Sequence, residues 1–133
     1  MNTVLGLLFG AVGSAYSAPA TVWIAICTSV AATGVITGEA SGGSYARKSM
    51  TNDTTTWNTA AAGAVTNKAV ITFVTADGSW GGSKACFAVT DHATLDTAHT
   101  MGYGTLAVAK DVTAGDTCSF AAGALSISFT ATT

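Results

Sequence analysis

An all-β fold, an antiparallel β-sandwich or jelly-roll-like domain led by a short N-terminal helix, is what this sequence predicts, and three observations carry it. In residues 124–129, apolar Leu125, Ile127 and Phe129 alternate with Ser126 and Ser128, the pattern of a strand with one buried face. Several other short runs are β-branched and aromatic. Glycine-rich turns separate these runs, so about seven or eight short strands are expected. With 133 residues the chain makes one β-domain, residues 16–133, behind a helical anchor segment, residues 1–15.

The first element is the N-terminal run. Residues 4–12 are apolar and residues 15–18 are small, which mimics a secretory signal, but no Lys or Arg precedes the run. It is also far short of the ~20 apolar residues of a membrane span. Leu5, Leu8, Phe9 and Val12 recur at helical spacing, so a short helix is expected, capped by Asn2 or Thr3 and ended by Gly10 and Gly13. Leu7 on the opposite side is apolar too, so this helix calls for cover all round, from its own sandwich or from a neighbouring subunit.

After the single proline, Pro19, residues 21–28 read as a central strand. A loop of small residues holds positions 29–44. Residues 45–50 form a short strand, and residues 54–58 around Trp57 a weaker one. Residues 60–63 are a break. Residues 70–74 are a strand that ends at the turn Asp77-Gly78. In residues 85–90, Cys86 and Ala88 belong to one face, Phe87 and Val89 to the other. A polar excursion over 91–100 precedes the strand 101–108, and the turn Ala114-Gly115-Asp116 precedes the strand 117–120 and the final alternating run.

Charge is nearly missing. Only 9% of the residues are Asp, Glu, Lys or Arg, against about 25% in an ordinary domain. So bland a surface gives little electrostatic repulsion between copies. Cover by other protein in a permanent assembly reconciles this with solubility, and it favours a structural subunit over a free enzyme. The net charge is −2 and the five basic residues are scattered, which argues against a nucleic-acid partner. Cys27, Cys86 and Cys118 show no metal spacing. Each sits in an apolar run, as free cysteines of a core assembled in a reducing cytoplasm would, with one disulfide and a leftover thiol as the alternative.

Chemistry has one candidate location. Asp91, His92, Asp96 and His99 pair two imidazoles with two carboxylates, which suits a metal ion or acid–base work. No periodicity places them on one face, and a solvated loop is the stronger reading. GxSxG, HExxH and P-loop motifs are absent. No catalytic residue, metal ligand or cofactor is therefore expected. Trp23 belongs in a core strand. Trp57 and Trp80, beside polar turns, join Leu5, Leu8, Phe9 and Val12 as candidate interface residues.

Several segments together resemble a family of small tailed-bacteriophage virion proteins, the tail fibre or head decoration proteins. They are Tyr16-Ser17-Ala18-Pro19-Ala20-Thr21-Val22-Trp23, the distinctive Glu39-Ala40-Ser41-Gly42-Gly43-Ser44-Tyr45-Ala46-Arg47, Thr72-Phe73 with Trp80-Gly81, and residues 114–125 beginning Ala114-Gly115-Asp116. The resemblance implies a β-sandwich subunit of a phage virion, assembled in the host cytoplasm, with no catalytic residues to carry over. The leading expectation is a capsid decoration (cement) protein, bound to the major capsid protein and to copies of itself, as a trimer. The alternative is a tail fibre or tail-tip subunit that contacts the host surface. Neither needs a nucleic acid or a membrane.

Overall fold

Numbered along the chain, the strands are β1 (Thr21–Cys27), β2 (Ser29–Val30), β3 (Ile36–Thr37), β4 (Lys48–Thr51), β5 (Ala64–Thr66), β6 (Ile71–Thr72), β7 (Lys84–Thr90), β8 (Thr100–Lys110), β9 (Ser119–Phe120) and β10 (Ser126–Ser128). They belong to a computed structural model that describes residues 18–94 and 99–128. The described residues are all-β and their strand pairs are antiparallel. One four-stranded sheet has the order β4-β1-β7-β8, and three two-stranded ribbons pair β10 with β5, β2 with β3 and β6 with β9.

β1 is the axis because its sequence, TVWIAIC, lacks glycine and proline and is apolar on both faces. Val22, Ile24 and Ile26 face one way, with Val89 opposite Ile24 and Phe87 opposite Ile26. Ile71, Phe73, Trp80, Val112 and Leu125 pack onto this face, brought there by the ribbons β6–β9 and β5–β10 and by the loops between them. Each large side chain buried here stabilises by about 1.5–3 kcal/mol. Rings lock the layer: Trp80 meets Tyr45 at 5.0 Å and Phe73 at 6.0 Å, both edge-on, and Phe87 meets Phe120 at 5.5 Å.

The opposite face is built of small residues. Ala25 lies across from Ala88 and Cys27 across from Cys86, and the β2–β3 hairpin lays Val30 and Ile36 over them. Small side chains here let the hairpin approach the sheet closely.

Two glycines are placed by contact rather than by turn propensity alone. Gly104 lies opposite Phe87, and a Cβ there would stand 2.8 Å from the Phe87 ring. Gly43 has φ +50°, and a Cβ on it would collide with the Gly78 carbonyl.

Several expectations need correction. The second layer is two ribbons and connecting loops; among the described residues no second sheet matches the first in size. Residues 54–58 form a turn whose Thr55 and Thr56 amides bond to the Asp53 carboxylate, with one bridge from Trp57 to Asn67. The strand expected over 45–50 begins only at Lys48; the Tyr45 N–H closes a turn onto the Gly42 carbonyl, and the Tyr45 and Arg47 side chains bond inside the fold. The loop 29–44 contains the β2–β3 hairpin, and residues 70–74 keep only Ile71–Thr72 as strand. The expected N-terminal helix, with Leu5, Leu8, Phe9 and Val12, lies outside the described residues.

Candidate functional site

Among the described residues, Arg47 is the most heavily bonded interior side chain. Its Nε donates to Glu39 Oε1 at 2.6 Å and its Nη2 to Glu39 Oε2 at 2.7 Å, a two-pronged ion pair. Its Nη1 donates to Thr90 Oγ1 at 3.0 Å and to the carbonyls of His92 and Thr94. The Arg47 side chain is 2% exposed and that of Glu39 14%. The hydrogen bonds to Glu39 push the Arg47 pKa above its ordinary value, against the opposing effect of burial. This group therefore stays charged. It ties residues 39–47 to the end of β7 and has no open face for a ligand.

Tyr45 completes the same device. β4 covers β1 only from Thr21 to Ile24, which leaves Ile26 without a strand partner on that side. The Ile26 amide donates to the Tyr45 hydroxyl at 3.1 Å, and the Ile26 carbonyl accepts from Ala40 N–H at 2.9 Å. The Tyr45 hydroxyl in turn donates to Glu39 Oε1. Burial first, and then the neighbouring Glu39 charge, holds the Tyr45 phenol protonated far above the usual range. The Glu39-to-Arg47 segment, the most distinctive string of the sequence, is thus a clasp that replaces missing β-pairing.

The polar cluster separates. His99 Nδ1 and Asp91 Oδ2 are 2.7 Å apart, and the His99 amide donates to Asp91 Oδ1 at 2.6 Å. Burial of Asp91 pushes its pKa up, but the bonds from His99 outweigh it and leave the carboxyl below its ordinary value. His92 goes elsewhere and stacks on Trp23, with ring centroids 6.4 Å apart. Asp96 lies outside the described residues. Among the described residues no three His, Cys, Asp or Glu side chains come together. The pair Asp91–His99 closes the base of the 91–100 excursion, where its backbone bond, Asp91 N–H to His99 carbonyl, also lies.

Of the two tryptophans expected at an interface, Trp80 is 0% exposed and donates from Nε1 to the Gly43 carbonyl at 2.9 Å. It belongs to this chain's own core and offers nothing to a partner. Turn residues around it gave a surface impression because Gly43 and Gly78 let two loops close over the indole. Trp57 is half-buried, with one flank on the core. A shallow depression of 230 Å³ lies beside β4, lined by Lys48, Met50, Thr55, Thr56, Val70 and neighbours. No carboxylate or imidazole lines it.

What remains open is β8. It is the longest strand and an edge of the sheet. Residues 100–109 carry no charge, and Tyr103 and Val108 are 47% and 78% exposed. Its pairing with β7 shifts register between Lys84 and Cys86, so residues 106–109 depart from the regular ladder. Among the described residues nothing pairs with its outer edge. The hairpin tip sits beside it, since Thr100 Oγ1 donates to the Gly34 carbonyl at 2.6 Å and Val35 follows, exposed. Sequence reasoning placed this strand but did not mark its edge, because edge position is a property of strand order.

An almost uncharged β-module whose polar side chains clasp its own loops, and whose open features are a strand edge and scattered aliphatics, is of a structural class. The family model described as Podophage GP4 fiber I protein gp80 matches residues 1–128, and the chain belongs to that family of tailed-phage virion proteins. A search of curated proteins found no match. The resemblance read from the sequence is thus shown at the level of the family, and its description, a fibre protein, fits the tail fibre alternative at least as well as capsid decoration.

Proposed function

We propose that this protein is a non-catalytic structural subunit of a podophage fibre, held in place by protein–protein contacts. The match over residues 1–128 to a family described as a fibre protein carries this reading. Two observations support a structural role. The polar side chains with unusual environments, Glu39, Tyr45 and Arg47, are consumed in internal bonds. Among the described residues the sheet ends on β8, an edge strand free of charge from residue 100 to 109, of the kind that pairs with further chain unless charge or proline blocks it. Copies of the protein itself are the partners this edge suits best, in an oligomer for which a trimer is the working expectation. Capsid decoration, the first choice on sequence alone, gives way because nothing in the fold or the family description favours the head.

Gold-labelled antibodies against the protein, imaged on intact virions, test the reading. Label at the tail with a handful of copies per particle is expected, together with loss of adsorption when the antibody is bound. Label spread over the head, with copies by the hundred, would return the protein to the capsid.

A further inference from the structure

We propose that Cys27 and Cys86 are a cross-strand dithiol that closes to a disulfide under oxidation and staples β1 to β7. The two residues are direct partners in the antiparallel register of these strands. Paired residues of antiparallel strands have Cα atoms about 4.5–5.5 Å apart and side chains on the same face. That spacing lies inside the roughly 4.4–6.8 Å range a disulfide spans. Both thiols are free, Cys27 buried and Cys86 half-buried.

The third cysteine cannot compete from where it sits. Cys118 packs against the cluster on the opposite face of the sheet, with Val22, Ile24 and Phe87, whereas Cys27 and Cys86 pack with Ala25, Ala88 and Ile36. The fold therefore sorts three cysteines into one pair and one bystander, which an odd count read along the sequence does not reveal.

The two thiols have different parts to play. Burial, then the neighbouring Cys86, pushes the Cys27 thiol up to about 12, so it is not the group that meets an oxidant in solution. Cys86, partly open, is. Its thiolate attacks one sulfur of a small disulfide such as oxidised glutathione, forming a mixed disulfide and releasing one glutathione thiolate. The Cys27 sulfur then attacks Cys86 Sγ and expels the second glutathione, its proton leaving with that thiolate. Two protein thiols and one disulfide become one protein disulfide and two glutathiones, and no further oxidant is needed.

The loop so closed runs from Cys27 to Cys86 and contains the β2–β3 hairpin, the Glu39–Arg47 clasp and β4 to β6. Closing it restricts the unfolded chain. A reducing cytoplasm keeps the pair as thiols during synthesis, and release into an oxidising medium closes it. This inference rests on strand register and stands whether or not the protein is a fibre subunit.

The test uses the full chain purified under reduction and then exposed to excess oxidised glutathione. The expected product is lighter by about 2 Da, with Cys27 and Cys86 joined in one non-reduced peptide pair, as the exchange stoichiometry requires. Its thermal midpoint is expected to rise by roughly 5 °C or more over the reduced form. The Cys118→Ser variant should behave identically. Cys27→Ala, which matches the small apolar neighbours Ala25 and Ala88, should stop at a glutathione adduct on Cys86. A lasting adduct on Cys86 in the natural chain, linkage through Cys118, or two thiols that remain open to alkylation would each overturn the proposal.

Discussion

Arg47 shows what a single side chain does in a chain with so few charges. Its guanidinium bonds Glu39 twice, Thr90 once and the His92 and Thr94 carbonyls, all with little solvent contact. Removing one partner of such a buried pair leaves the other charge uncompensated, which costs about 3–5 kcal/mol, whereas replacing both with apolar groups of like size is often close to neutral. Arg47→Met is therefore expected to lower the unfolding free energy by about 3–5 kcal/mol in a denaturant titration, and Arg47→Met with Glu39→Leu to recover much of that loss. Equal losses in the single and double variants would show that the pair does not hold the clasp. Both residues were visible in the sequence as part of its distinctive motif. Their bond was not, because nothing in the spacing of Glu39 and Arg47 says that a loop brings them together.

At the scale of elements, the strong strands were legible, as were the runs holding the ribbon strands β6, β9 and β10, while the hairpin β2–β3 and β5 were not. β1 and β7 carry dense β-branched and aromatic residues, and the division of Cys86 and Ala88 from Phe87 and Val89 appears in the register as expected. Leu125 and Ile127 turn inward from exposed Ser126 and Ser128, again as the alternation predicts. The hairpin β2–β3 and the ribbon strand β5 escaped because two- or three-residue strands carry no periodicity. β8 depends on its glycines for packing: Gly104 admits the Phe87 ring and Gly102 faces Ile127 at 3.0 Å from where its Cβ would stand. Gly104→Ala is expected to destabilise by about 1–3 kcal/mol through overpacking, read as a lower thermal midpoint. An unchanged midpoint would mean that Phe87 has room to swing aside.

For the whole molecule, the question is how an almost uncharged protein meets its neighbours. The outer edge of β8, free of charge from 100 to 109, is the place where chain pairing is least opposed. Val108, 78% exposed, contributes little to the fold, so Val108→Lys is expected to leave stability within about 0.5 kcal/mol. It is expected to shift the protein toward monomer in sedimentation experiments. Natural and substituted chains of the same oligomeric size would remove β8 from the contact.

The all-β character of this protein follows from its sequence alone, since β-branched runs, alternation and glycine turns are local properties. Its membership in a phage virion family also rests on sequence, over residues 1–128. Only the tertiary structure decided that Trp80 is core, that His92 and His99 part company, that Cys27 faces Cys86, and that β8 ends the sheet. These are relations between segments that a local reading of the chain does not connect. Side-chain chemistry states what a residue can bond to, but only strand order and register determine what it meets.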